Sequence, residues 1–237
     1  MDEATFTDRL RRPLHERDGR AVVAILAVTG LPPEQLQLTG IGLLFALADE
    51  PAAAEPLARE LLAALADRRW AGDEELAAEL RAALGDPQDP DEEPAATLTT
   101  VPVSLSELGE AMDTNEYGGR INLQDGGVWP AMVFEFGEPD GLEDEDLDDG
   151  DKWLGIEPTG SRTGWRDMAD FVDTVADPRR ANQLARAIEG SGAFRRFKDT
   201  LHRWPDEPAR WYAFSDDRQL GRAREFLAAE GFRTDRY

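Results

Sequence analysis

Asp167, Asp170 and Asp173 are the residues of this sequence whose spacing comes nearest to a reaction centre. Asp167 and Asp170 stand three apart and share one face of a helix, and carboxylate pairs of that kind can hold magnesium. A carboxylate- and metal-dependent hydrolase would also need a phosphate-cradling loop or an acid/base partner, and neither accompanies them. A second acidic set, Asp144, Asp146 and Asp148 with Gly150, is laid out like a calcium loop but lacks the closing glutamate. The chain has no cysteine and only two histidines, His15 and His202. Disulfides, thiolate zinc sites, cysteine nucleophiles and multi-histidine metal sites within one chain are therefore excluded. No Gly-x-Ser-x-Gly elbow is present for a serine nucleophile. The expectation is a chain with no assigned catalytic residue, metal ligand or cofactor, leaning away from an enzyme.

The stretch with the strongest internal pattern is 190–205, GSGAFRRFKDTLHRWP. Phe194, Phe197, Leu201 and Trp204 fall at offsets of three, seven and ten, which aligns them as one apolar ridge on a helix. Ser191 or Gly192 can open that helix, and Pro205 marks its end. Arg195, Arg196, Lys198 and Arg203 occupy the remaining surface with His202, and Asp199 lies four residues from both Arg195 and Arg203. Two readings compete. In one the cations are a solvated face laced by local pairs. In the other they are a contact surface for carboxylate or phosphate, because arginine presents a rigid fork of donors.

A family resemblance rests on this region. Its carriers are Met168-Ala169-Asp170-Phe171, the run 184–188, Gly192-Ala193-Phe194-Arg195-Arg196-Phe197-Lys198-Asp199, the cluster Trp211-Tyr212-Ala213-Phe214, and the closing helix to Gly231-Phe232. Together they resemble an uncharacterised bacterial protein family of the UPF type. The likeness reaches back to about Val101 and leaves out the first 90 or so residues. It implies no activity and no catalytic residue.

Charge divides the chain. The formal net charge is -23, yet from Arg162 onward fifteen basic residues meet thirteen acidic ones, leaving about +2. Some -25 therefore sits before that point. An acidic whole disfavours nonspecific nucleic-acid binding, which needs dense Lys and Arg, but leaves room for it in the C-terminal half. The start of the chain has no basic segment leading into an apolar one, and no apolar run approaches the ~18 residues of a membrane span. A cytoplasmic protein without membrane contact is expected. Alanine and arginine richness, with lysine only at Lys152 and Lys198, points to a GC-rich bacterial genome.

The elements that must position these residues read as α+β. Residues 1–85 form an acidic all-helical domain, with helices expected near 6–14, 21–28, 34–49, 56–70 and 74–84. Gly30 with Pro32-Pro33, Gly72 and Gly85 punctuate them, and Asp73 is expected as an N-cap. Gly40 and Gly42 weaken the third. Residues 86–100 have a linker's composition. In the 101–237 domain, Ser104-x-x-Glu107 opens a short helix. Ile121 and Leu123 alternate, Asp125-Gly126 turns a hairpin, 128–136 is the return strand, and 153–156 adds a third. This small antiparallel sheet is expected to pack on the C-terminal helices. Between its strands runs an acidic loop, 138–151, which could also fold over and mask Arg195, Arg196 and Arg203. Asp177 with Pro178 starts one C-terminal helix, and Ser215 starts the last.

The sequence thus favours a non-enzymatic protein-interaction or regulatory module with a protein partner. A nucleic-acid-associated protein using the basic face of the 192–204 helix is the alternative, and the carboxylate hydrolase is a second.

Overall fold

The computed structural model describes residues 5–86, 98–114, 118–135, 147, 149–234 and 236–237. Thr5 opens α1 (Phe6–Glu16) by a reciprocal cap with Asp8, and Asp18 caps α2 (Gly19–Thr29) through the amide of Ala21 at 2.9 Å. A 3-10 turn at Pro33–Gln35 leads into α3 (Leu36–Asp49), followed by α4 (Pro51–Arg68) and α5 (Asp73–Leu84). Helix α3 is apolar on all sides and ten of its residues are buried, as suits an element at the centre of a bundle. Its glycines do not weaken it here. A Cβ at Gly40 would come within 2.5 Å of Leu76, and one at Gly42 within 2.9 Å of Val22, so both sites let neighbouring helices close in. Asp73 is not the N-cap of α5. Gly72 takes that place at φ 78°, and the Asp73 carboxylate reaches back to the Trp70 amide at 2.8 Å.

The expected linker ends in structure. Residues 87–97 lie outside the described residues, but β1 (Thr99–Thr100) pairs in parallel with β5 (Phe232–Arg233) at the other end of the chain. Ser104 receives the Glu107 amide at the start of α6 (Leu105–Thr114). Then β2 (Gly119–Asn122), β3 (Val128–Pro130) and β4 (Trp153–Ile156) form a three-stranded antiparallel sheet in the order β3-β2-β4, with Ile121 opposite Val128 and Leu154. The hairpin turn forms where expected. The Asn122 side chain accepts from the amides of Gln124 and Asp125, and Gly126 adopts φ 83°. The return strand is shorter than 128–136. It stops at Pro130, which has no amide to donate, and Met132–Glu135 turn into a short helix, α7. Most of the acidic loop, 138–146 and 148, falls outside the described residues, and with it the masking arrangement.

Four helices follow: α8 (Gly160–Asp173), α9 (Pro178–Ala187), α10 (Ala193–Leu201) and α11 (Glu207–Ala229). Asp177 caps α9 as expected, through the Arg179 amide at 2.8 Å. Ser215 does not begin a helix. It lies inside the 23-residue α11, which already contains Trp211, Tyr212 and Phe214. The expected turn has no glycine or proline between 209 and 220 to make it.

Apolar side chains gather in two clusters. The larger joins α1–α5 to α6, to Ile121, Leu123 and Ile156 of the sheet region, and to Leu220, Ala223 and Leu227 of α11. Side chains from before and after 86–100 share this one core. The smaller cluster unites α8, α9 and α10 with Trp211 and Phe214 at the start of α11. Helix α11 therefore serves both, its first half in one core and its second half in the other.

Candidate interaction face

Helix α10 forms where 190–205 requires it. Gly190 and Gly192 both have positive φ, at 69° and 74°, and Gly192 is the N-cap. Phe197 and Leu201 are buried, and Phe197 meets Phe171 and Trp211 edge-to-face with centroids 6.1 and 4.8 Å apart. The helix ends at Leu201, and Trp204, just beyond it, is partly buried against the same cluster. Phe194 departs from the expected ridge. It is 43% exposed and lies over Gly164 of α8, where an added Cβ would stand 3.0 Å from its ring. The reason is angular: at 100° per residue, Phe194 sits on the shoulder of the stripe defined by Ala193, Phe197, Thr200 and Leu201.

The four expected cations are all exposed but are engaged differently. Arg196, although exposed, bends to the end of α9, where its guanidinium donates to the carbonyls of Ala187 (3.2 Å), Glu189 and Ser191. With the indole of Trp165, which donates to the Ile188 carbonyl at 2.9 Å, it satisfies the open carbonyls of that helix end. Arg203 leans the same way, 3.4 Å from Gln183 Oε1. Arg195 and Lys198 remain on the outer face. The Arg195 side chain is 91% exposed, with Asp199 3.9 Å away. Phe194, next to Arg195 in the chain and four residues before Lys198, is half-exposed, as is Trp165 of α8 beside the Gly164 that Phe194 covers.

Charge is otherwise concentrated on α11, and largely hidden. Asp217 Oδ1 accepts from the Gln37 and Leu38 amides at the start of α3, at 2.7 and 3.4 Å, and its Oδ2 meets Arg68 Nη1 of α4 at 2.6 Å. Arg68 also pairs with Asp73 at 2.6 Å. Burial pushes the Asp217 carboxyl up to about 6, against the pull of Arg68 and of those two amides. One turn pair onward, buried Arg224 donates to Gln37 Oε1 at 3.0 Å and to Glu79 at 2.5 Å. The guanidinium carbons of Arg68 and Arg218 lie 4.1 and 4.7 Å from the Trp70 ring centroid.

The expected carboxylate pair belongs to this network. Asp167 is buried between Arg218 Nε and Arg222 Nη1, both at 2.9 Å, and Asp170 meets Arg218 Nη2 at 3.0 Å. Arg222 also reaches Asp113 at 2.8 Å. Two arginines already neutralise the lone pairs that a metal would take, so the magnesium arrangement fails. Among the described residues no group of three or more His, Asp or Glu side chains could hold a metal ion.

With this geometry, likeness to known proteins can be placed. Residues 135–235 match the Uncharacterised protein family (UPF0158). The C-terminal segment is thus similar to an uncharacterised UPF-type family. A UPF0158 protein of Pseudomonas aeruginosa is 26% identical over 126 residues, 53% of this chain and 80% of that protein. No solved structure matches significantly. The UPF0158 match takes in α8 to α11 and β5, hence both the α10 face and the charged side of α11. It leaves out α1–α5, which supply Gln37, Arg68, Asp73 and Glu79 to that side. Among the described residues no helix is long and apolar enough to cross a membrane.

Sequence reasoning missed the α11 network. A signal was present: Asp217 and Arg224, seven apart, fall in the same helical stripe as Leu220 and Leu227. Two opposite charges inside an apolar stripe mark buried ions that need partners.

Proposed function

We propose that this chain is a non-enzymatic interaction module that receives an acidic segment of a protein partner on the outer face of α10. The observation that carries the reading is the set Trp165, Phe194, Arg195 and Lys198: two half-exposed rings on the α8–α10 surface and two exposed cations that the fold does not use for its own helix ends. Aromatic rings and arginine are the residue types over-represented where binding energy concentrates. A short acidic segment fits the cations without meeting the full repulsion that a net charge of -23 imposes on a long polyanion. A bacterial cytoplasm is the setting this reading assumes.

Nucleic acid is the second reading, favoured by the same exposed rings, since bases stack on aromatics flanked by cations. One experiment separates the two. The full chain and its Phe194→Ala/Arg195→Ala/Lys198→Ala variant are used to capture material from nuclease-treated and untreated bacterial lysate. The protein-partner reading expects one captured protein, insensitive to nuclease, absent with the variant, and released as salt rises from about 0.05 to 0.2 M. Capture that depends on nucleic acid supports the second reading. Equal capture by wild type and variant rejects both.

A further inference from the structure

Away from α10, a cavity of about 470 Å³ opens where α3, α5, the end of α11 and the β1–β5 pair come together. One side is apolar, built from Ile41, Leu44 and Phe45 of α3 with Leu105 facing them. Among the described residues the charged side chains around it are four arginines, Arg17, Arg224, Arg233 and Arg236, and one acid, Glu79. That reverses the balance of a chain with 49 acidic and 26 basic residues.

That acid does not serve Arg233 or Arg236. Glu79 is taken by Arg224, whose Nη1 lies 2.5 Å from it and whose Nε is bound to Gln37. Arg233 uses only its Nε, which donates to Thr100 Oγ1 at 3.1 Å and leaves its terminal nitrogens without a carboxylate among the described residues. Arg236 has no ion pair among the described residues, while its backbone is fixed: its amide donates to Thr234 Oγ1 at 3.1 Å and its carbonyl accepts from Leu105. Arg17 lies at the rim with its guanidinium carbon 5.5 Å from the Phe45 ring centroid. It is one of only two non-glycine residues with positive φ among the described residues, at 55°. That conformation closes α1, where the Arg17 amide donates to the Leu14 carbonyl at 3.3 Å.

We infer that this cavity binds a small amphipathic anion, a molecule with an apolar body for the Ile41–Leu44–Phe45 wall and a carboxylate or phosphate head for Arg233 and Arg236. The volume lies within the range of small-molecule sites, which pair apolar walls with a few convergent polar groups. Arginine forks match both head groups in a two-point geometry that a simple cation does not reproduce.

Isothermal titration calorimetry on the full chain tests this with four probes: octanoate, octyl phosphate, octanol and inorganic phosphate. One-to-one binding is expected for at least one of the two octyl anions, with octanol and inorganic phosphate each at least about tenfold weaker, because each supplies only half of the recognition. Arg233→Ala/Arg236→Ala should weaken the octyl anion at least about tenfold. Ala83→Trp, which fills the cavity mouth from an exposed position on α5 without removing a charge, should abolish it. Arg195→Ala should leave it unchanged. Far-UV circular dichroism checks that each variant is folded, and Ala83→Trp decides the matter if the double arginine variant is not. The inference is overturned if neither octyl anion binds, if octanol binds as well as octanoate, or if Ala83→Trp leaves the affinity intact. Loss of binding with Arg195→Ala would place the anion on α10 instead.

Discussion

Removing one carboxylate, by Asp217→Ala, should show how tightly α11 is tied to α3 and α4. In the native chain that carboxylate accepts from Gln37 N at 2.7 Å and Arg68 Nη1 at 2.6 Å, with a longer contact to Leu38 N at 3.4 Å. Alanine leaves the fully buried Gln37 amide without its partner, at a cost of about 2 kcal/mol. Breaking a buried ion pair from one side costs about 3–5 kcal/mol, but Asp73 still holds Arg68 at 2.6 and 3.0 Å, so about 2 kcal/mol applies here. The expected loss is about 4 kcal/mol, against total stabilities of about 5–15 kcal/mol for domains in general. Urea unfolding at neutral pH, followed by circular dichroism, measures it directly. Arg12→Ala is the reference, because it breaks a pair whose side chains are 83% and 48% exposed and should cost under about 0.5 kcal/mol. A cycle with Arg68→Met should return a coupling of at least about 1.5 kcal/mol. If Asp217→Ala cost no more than Arg12→Ala, the account of α11 as an electrostatic clamp would be refuted.

The two neighbouring arginines of α10 should behave differently: Arg196→Ala should cost about 1–2 kcal/mol in the same assay, because three backbone carbonyls lose their donor, whereas Arg195→Ala should stay within about 0.5 kcal/mol. Equal effects would mean that Arg196 does not close the end of α9. Gly221→Ala should cost about 3 kcal/mol, since its Cβ would run into the Ala71 backbone, while Gly155→Ala, which faces open space, should stay within about 0.5 kcal/mol. A mild Gly221→Ala would mean that α11 can draw back from the α4–α5 turn. For pH, the folded chain holds the Asp217 proton up to about 6 and the unfolded chain only to its ordinary 3.8. The native state then binds more protons between those values, so this group's contribution is full below 3.8 and is lost as pH rises to 6. Relative to Asp217→Asn, wild type should lose up to about 3 kcal/mol over that window, and a constant difference between the two would contradict the raised value.

Helix boundaries were legible wherever a glycine, proline or short polar residue stood at the end, as at Asp177-Pro178, Gly85 and Gly192. The third strand at 153–156 was legible from its apolar run. The continuous α11 was not, because Ser215 looks like a cap to local rules while Trp211 and Phe214 on one side, and Leu220 on the other, bury the helix straight through it. Tertiary packing overrides a weak cap when both flanks have somewhere to go. The cations of 190–205 were legible as helical but not as divided, since the carbonyls that claim Arg196 belong to a different helix. For the same reason the pairing of Asp167 with Arg218 and Arg222, some fifty residues away, left no mark in local spacing.

The unequal reach of the UPF0158 match has an evolutionary consequence. The stretch of 126 residues that aligns to the Pseudomonas protein is already 80% of it, which leaves about 30 residues over, fewer than α1–α5 occupy here. A relative of that size has no room for the whole scaffold that here greets Asp217 and Arg224. At those two positions such a homologue is expected to carry uncharged side chains or to draw its counter-ions from elsewhere than an α1–α5 scaffold. The identities at these sites thus become a diagnostic: across shorter and longer members, acid and base there should come and go together with the extra helices.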